Sequence, residues 1–306
     1  IATLDLETFT NTPRNEDNSN AIVYHIGYTY KDNYTSSDSI LKNRYKSNII
    51  LDINKYLSTT KLITKTYYLK DYITDDITSY ESEHNIIIDC LKALCLDCGS
   101  RSEESTLLEN KHYKVYNKQR WQKTAVYVHN FEDFDSKFLL KHLLEHKLKQ
   151  ESLGKQSYLR CYPYIYNGNI LTIRLSYNKK TVYLKDSIKL LTSSLQKLCE
   201  AFNLPSEISK DIFPYHFPNI NNLNYKGICP SSSDFSSRLS SEDYKKYITR
   251  HENKIWDLRK ESQKYLELDL KSLWYIIDLF RYTTLKKYHV DITSVNTVAK
   301  LSIDIL

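Results

Sequence analysis

The 306-residue chain contains no methionine, where average usage would give roughly half a dozen, and it opens on Ile1. That start reads as an excised fragment. Its first residues, IATLDLETF, lack a basic head and an apolar secretory core, so no signal peptide is expected. No window approaches the roughly 18 uninterrupted apolar residues of a membrane span, which excludes a transmembrane helix and any membrane partner that would need one. Glycine is scarce, at 5 residues. Cysteine is limited to six residues, and only Cys95-Leu96-Asp97-Cys98 has metal-knuckle spacing. The second half of such a site is missing, with only His112 and Cys161 as later candidates. Cys90 and Cys95 also fit the apolar face of a helix, and buried reduced thiols are the plainer reading.

What is present is an ordinary globular composition: 41% hydrophobic and 26% charged residues, with a formal charge of +6. The excess of basic residues is too mild to demand or exclude a nucleic-acid partner. Tyrosine is abundant, at 27 residues against 9 phenylalanines. It could offer stacking platforms for bases, or it could reflect AT-rich coding that inflates Tyr, Asn, Lys and Ile together.

Along the chain, Ala2–Thr8 alternates Leu4 and Leu6 against Asp5 and Glu7, a strand with a carboxylated face. Ala21–Tyr30 and Thr64–Leu69 read as two more strands, with a polar turn at Asn15–Asn20. Residues 71–122 hold a helix, Glu83–Leu96, and then CGSRSEESTLLENK, which reads as a surface insertion. Lys123–Asn130 is β-branched and short, a buried strand running into a helix over Phe134–Lys149. Arg160–Asp186 predicts a hairpin around Asn167-Gly168 followed by a further strand. Ser193–Phe202 is a short helix capped by Ser193 or Ser194, and Leu204–Asp234 is loop. Glu242–Lys287 reads as one or two long helices. Strands interleaved with helices make this an α/β domain spanning 1–306, with an excursion rather than a second domain.

Three places could carry chemistry. Asp5 and Glu7, two apart on a strand, share a face and offer the oxygen donors a hard divalent cation prefers. The pattern alone is weak, because Glu81/Glu83, Asp133/Asp135 and Glu267/Asp269 repeat it; the apolar strand around Asp5 and Glu7 is what singles them out. Asp135 opens a helix after a strand, where a carboxylate can bind metal or merely cap. Tyr265 and Asp269 lie four apart on a late helix and can address one point, which means little unless the strand carboxylates face them.

In order, Asp5-Leu6-Glu7-Thr8, Asn130–Asp135 and Tyr265–Asp269 resemble the three motifs of the proofreading 3′–5′ exonuclease domain of family B DNA polymerases. VYVHNFEDFDSKFLL, LKDSIKLLTSSLQKLCEAFNL and KDIFPYHFPNINNLNYKG are similar to the protein-primed branch of linear plasmids, mitochondrial genomes and viruses. The resemblance covers the whole chain. It implies a ribonuclease-H-like exonuclease fold, a mixed central sheet flanked by helices with an inserted β-hairpin. It implies two Mg²⁺ or Mn²⁺ ions held by Asp5, Glu7, Asp135 and Asp269, one activating a water and the other stabilising the leaving 3′ oxygen. Tyr265 would orient the water, and Lys210, in Lys-x-x-apolar with Phe213, would touch the scissile phosphate, Lys197 being a rival. Thr8, His129, Asn130 and Phe134 would grip the frayed 3′ end of single-stranded or primer DNA. Ser187 and Ile188 match a strand-contacting motif, with Ile where Leu is expected.

The Ser-Leu-Tyr-Pro-like and Asp-Thr-Asp motifs of the polymerase half are absent, and 288–306 falls where the palm would start. The expectation is therefore a piece that degrades DNA, from a DNA-directed DNA polymerase with a polymerase domain in cis and a terminal protein as primer. Its implied location is the mitochondrion, with a cytoplasmic linear plasmid or virus as the other setting. Two alternatives stand beside it: a silent single-stranded DNA-binding module using Lys245, Lys246, Arg250, Lys254, Arg259 and Lys260, and a related nuclease acting on RNA.

Overall fold

The computed structural model describes residues 1–10, 21–31, 53–101, 124–155, 158–237 and 239–306. The expected turn at Asn15–Asn20, the insertion beyond Arg101 and His112 lie outside the described residues.

The first strand, β1 (Ala2–Thr10), pairs antiparallel with β2 (Ala21–Lys31), and β2 pairs antiparallel with β3 (Leu62–Tyr68). A short helix, α1 (Ile53–Thr59), precedes β3, and α2 (Ser79–Cys98) follows it. Thr78 and Glu81 form a reciprocal capping box that fixes the start of α2. A two-residue strand, β4 (Ser100–Arg101), comes next, then β5 (Thr124–Val128), buried along its whole length. β5 runs parallel to β1 and leads into α3 (Asp135–Ser152). The meander β6 (Arg160–Tyr166), β7 (Asn169–Tyr177) and β8 (Lys180–Asp186) completes the sheet. Its first turn places Asn167 and Gly168 at φ 50° and 80°, as a two-residue hairpin whose twist matches the strands requires.

The sheet order is β3-β2-β1-β5-β8-β7-β6, with β4 paired to β8. An antiparallel three-strand unit is thus followed by β5 and β8 parallel to β1. This is the mixed sheet of the ribonuclease-H-like expectation, with the β6–β7 hairpin extending its edge.

After β8 come α4 (Leu195–Ala201), capped by Ser194, then a loop holding β9 (Lys226–Gly227), then α5 (Ser241–His251). A two-residue strand, β10 (Trp256–Asp257), pairs with β9 and separates α5 from the 31-residue α6 (Leu258–Tyr288). The Glu242–Lys287 stretch is therefore two helices, broken where Asn253 takes a left-handed φ of 58° and Asp257 caps the next helix by accepting from Lys260 N. The last helix is α7 (Val298–Ile305). Among the described residues no helix is long and apolar enough to cross a membrane.

Strand alternation decides what each sheet face packs against. Leu4 and Leu6 join Val126, Val128, Val182 and Leu184 beneath Ile86, Leu91, Leu139 and Leu143 of α2 and α3. Within the 71–122 stretch, α2 thus belongs to the core. The opposite face packs Ile1, Ala125 and Tyr127 against Trp274 and Ile277 of α6. Ile292, Val295 and Leu301, within 288–306, join the same cluster, and Lys185 Nζ donates to the carbonyls of Thr293 (2.8 Å) and Val295 (3.1 Å). A smaller cluster of Phe213, Phe235, Tyr247, Trp256, Leu258 and Tyr265 underlies the 204–234 loop.

Cys95 and Cys98 are buried on α2, and burial pushes both thiols up to about 12. Neither joins a metal-ligating cluster among the described residues, and all six cysteines are free. The described residues thus show Cys95 and Cys98 as buried, free thiols.

Candidate active site

The polar face of β1 carries Thr3, Asp5 and Glu7, and it lies under α6 instead of facing water. Thr3 Oγ1 donates to the carbonyl of Leu270 at 2.8 Å, fixing the crossing point one residue past Asp269. Asp5 lies opposite Gly27 on β2. A Cβ at Gly27 would stand 2.8 Å from the Lys65 carbonyl and 3.3 Å from Leu270 Cδ1, so glycine permits the close approach of β3 and α6 to this point. Between Glu7 and Thr8 the register jumps from His25 to Val23, a bulge that re-aims the end of β1.

Carboxylate oxygens of Asp5, Glu7 and Asp269 lie within 4.8 Å of one another. Burial first, and then the negative charge of Asp269, raise Asp5 to about 7, against the opposing pull of Lys210 and the Leu6 backbone N–H. Burial and the charges of Asp5 and Asp269 hold Glu7 well above the usual carboxylate range. Asp135 stands outside the 4.8 Å group but feels its charge: burial, and then the negative charge of Asp5, raise it well above its ordinary value. It is not the cap of α3. Phe134 occupies the cap position without a side-chain bond, and Asp135 Oδ1 is buried with no hydrogen-bond partner.

Lys210 is the cation at this cluster. Its Nζ donates to Asp269 Oδ2, while Asp269 Oδ1 is buried without a hydrogen-bond partner. Burial opposes its ammonium, yet Asp269 and Tyr215 carry its pKa above the lysine value. Its neighbour Asp211 is clamped by both guanidinium nitrogens of Arg250 at 2.9 Å, which anchors the loop. The rival, Lys197, is exposed on α4.

Tyr265 is buried, with its ring 5.2 Å from that of Phe213 and beneath the Lys210 ammonium at 4.9 Å. Burial and the charges of Asp269 and Glu7 keep its phenol protonated. Its hydroxyl is hydrogen-bonded to that of Tyr215, whose ring meets it edge-on at 5.7 Å. Sequence reasoning missed Tyr215. It follows Lys210 by five residues in an aromatic loop, but among 27 tyrosines nothing marks it.

The strand-to-helix junction is organised by another residue the sequence did not single out. Buried Asp186, at the end of β8, accepts from Glu132 N and Ile188 N, each at 3.0 Å, tying β8 to the β5–α3 turn. Asn130 takes φ 61° in that turn, a conformation asparagine tolerates. His129 Nδ1 lies 2.9 Å from Ser187 Oγ. Ser187 is fully buried, and its hydroxyl also reaches the Val128 carbonyl at 3.1 Å. The Ser187 side chain, expected to contact a DNA strand, is thus enclosed and engaged with His129 and the Val128 carbonyl. Ile188, Thr8 and Phe134 are half-buried, Phe134 edge-on to Phe138 at 5.2 Å.

The donor set suits hard divalent cations. It is all carboxylate, converges from separate elements, and includes two buried oxygens lacking any hydrogen-bond partner, Asp135 Oδ1 and Asp269 Oδ1. Clustered buried carboxylates are costly without counter-charge, and one lysine does not supply enough.

The family described as DNA polymerase type B, organellar and viral, matches residues 116–306. A probable DNA polymerase of Podospora anserina is 31% identical over 317 residues, covering 100% of this chain and 23% of the relative. One from Neurospora intermedia is 31% identical over 189 residues, 58% of this chain and 18% of the relative. The chain thus spans about a fifth of the length of these curated relatives. A solved structure of Phi29 DNA polymerase complexed with single-stranded DNA is similar at 13% identity, covering 99% of this chain and 33% of that one, with a TM-score of 0.41.

Proposed function

The chain belongs to the organellar and viral type B DNA polymerases, and from that premise we propose that it is the 3′–5′ proofreading exonuclease part of such an enzyme. The observation that carries this reading is the convergence of Asp5, Glu7 and Asp269 oxygens within 4.8 Å beside Asp135.

Asp5, Glu7, Asp135 and Asp269 would hold two Mg²⁺ or Mn²⁺ ions. Bound there, such ions supply Lewis-acid stabilisation of phosphoryl charge and acidify water. The remaining work falls to the chain itself. Tyr265, protonated and backed by Tyr215, offers a hydroxyl that orients a water by hydrogen bonding and cannot serve as a base near neutral pH. Lys210 brings a fixed positive charge to the scissile phosphate, held in place by Asp269 and by the Asp211–Arg250 clamp. Thr8, His129, Asn130, Phe134 and Ile188 form the grip on the 3′-terminal nucleotides, with Phe134 offering a ring to a base and Ser187 steadying His129.

A polymerase domain in cis, a terminal protein as primer and a mitochondrial or linear-plasmid setting complete the proposal. The silent DNA-binding alternative draws little support from its basic run, because Arg250 and Arg259 are committed to Asp211 and Asp71 and Lys246 to Glu242.

Digestion of a 5′-labelled single strand with Mg²⁺ tests the reading. The expected product is a ladder shortened from the 3′ end, faster on DNA than on RNA. Salt-dependent strand binding without metal-dependent cleavage would support the silent module instead.

A further inference from the structure

A second cluster lies where α2 packs on α3, with no part in the chemistry above. Potential ligand atoms of His84 on α2 and of His142 and Glu145 on α3 lie within 4.8 Å of one another. His142 and Glu145, three apart, share a helix face, and His84 meets them across the interface with its ring 5.5 Å from that of His142. The surroundings resemble an outer shell. His142 is 1% exposed, and its Nε2 stands 3.4 Å from Glu83 Oε2. Glu83 is itself buried and also accepts from Val23 N at 2.8 Å. A proton on Nε2, directed at Glu83, leaves Nδ1 with a lone pair, and Nδ1 is buried with no hydrogen-bond partner. Tyr80 donates to Glu145 and so orients that carboxylate. His146, one turn along from His142, is 6% exposed, its Nε2 is equally unpartnered, and its ring lies 5.7 Å from that of His84.

Leaving ring nitrogens unpaired in an interface is costly, and an apolar side chain would avoid that cost. Packing alone therefore does not account for the cluster.

We propose that His84, His142 and Glu145 form a site for a zinc-like transition-metal cation that clips α2 to α3. Two imidazoles and one carboxylate favour such an ion over Mg²⁺, leaving a fourth position for water or for His146. The clip acts on the helix whose first residue is Asp135. His142 lies seven residues farther along, about 10 Å at the helical rise, so the ion steadies the helix that delivers a carboxylate to the active site without touching it.

The test uses the 306-residue chain carrying Asp5→Asn and Glu7→Gln, which disables the carboxylate cluster as a competing zinc site. Calorimetric titration with Zn²⁺ should give one ion per chain and a raised melting temperature, with Mg²⁺ ineffective. Adding Glu145→Gln, on an exposed side chain that leaves packing intact, should weaken Zn²⁺ affinity at least tenfold, and adding His84→Gln should do the same. Absence of stoichiometric Zn²⁺ binding in the parent variant would overturn the proposal. So would undiminished binding in the Glu145→Gln variant.

Discussion

Lys210 Nζ donates to Oδ2 of Asp269, and Oδ1 of the same carboxylate is buried without a hydrogen-bond partner. One oxygen is neutralised by a fixed cation and the other is left unpaired within the group it forms with Asp5 and Glu7. That division lets Asp269 serve the loop and the carboxylate cluster at once.

Removing the lysine should therefore harm catalysis and stability together. Lys210→Ala is expected to lower the single-turnover cleavage rate by about 10²-fold, the scale of losing one charge-stabilising group. Lys210→Arg should recover part of that loss. Rapid-quench digestion of labelled single strands measures both, and equal rates for Lys210→Ala and the unaltered chain would refute the role.

The two phenols should separate by depth. Tyr265→Phe removes the more deeply buried hydroxyl and should cost roughly 10- to 100-fold in rate while the ring still packs on Phe213. Tyr215→Phe should cost less, because it acts through Tyr265. Neither variant should shift the pH–rate profile between pH 6 and 9, since the Tyr265 and Tyr215 phenols are both held above the ordinary tyrosine value.

Stability without divalent ions should fall as pH rises. Folded Asp5 titrates at about 7 against an ordinary 3.8, and Glu7 and Asp135 shift the same way. At these three groups the native state thus binds protons more tightly than the unfolded chain, so the stability they contribute is fully present below about pH 4 and is lost as pH rises through 7. In EDTA the melting temperature should be ~3 °C or more higher at pH 5.5 than at pH 8, and Asp5→Asn should raise it at pH 8. Millimolar Mg²⁺ should flatten the difference. A melting temperature that climbs with pH in EDTA would contradict the assigned shifts.

Ser187→Ala should act on strand binding more than on chemistry. It removes the hydroxyl that meets His129 Nδ1 and the Val128 carbonyl, at a cost of about 1 kcal/mol in stability. The expected signature is a several-fold rise in KM for single strands with kcat nearly unchanged, measured by steady-state digestion.

Much of this was legible in the sequence. The alternation of Leu4 and Leu6 with Asp5 and Glu7 identified β1 and separated its two faces, because the two-residue period is imposed by the backbone itself. What alternation could not say is that the carboxylated face would be roofed by α6, which depends on Gly27 and on a helix crossing some 260 residues away in the chain. The Asn-Gly turn and the serine cap of α4 were readable for the same local reason. Tyr215, Asp186 and the enclosure of Ser187 were not, since each takes its role from partners on other elements and carries no local pattern. The histidines of α2 and α3 were hidden in the same way: His84 lies far from His142 and Glu145 in sequence, and only packing brings the three side chains together.

The central measurement is the single-turnover rate of 3′-terminal hydrolysis, in Mg²⁺, for the chain and for its Asp5→Asn, Glu7→Gln double variant. Convergent carboxylates that hold catalytic ions predict a fall of about 10³-fold or more with the fold intact by circular dichroism. A folded double variant that cleaves within about tenfold of the unaltered chain would contradict the account.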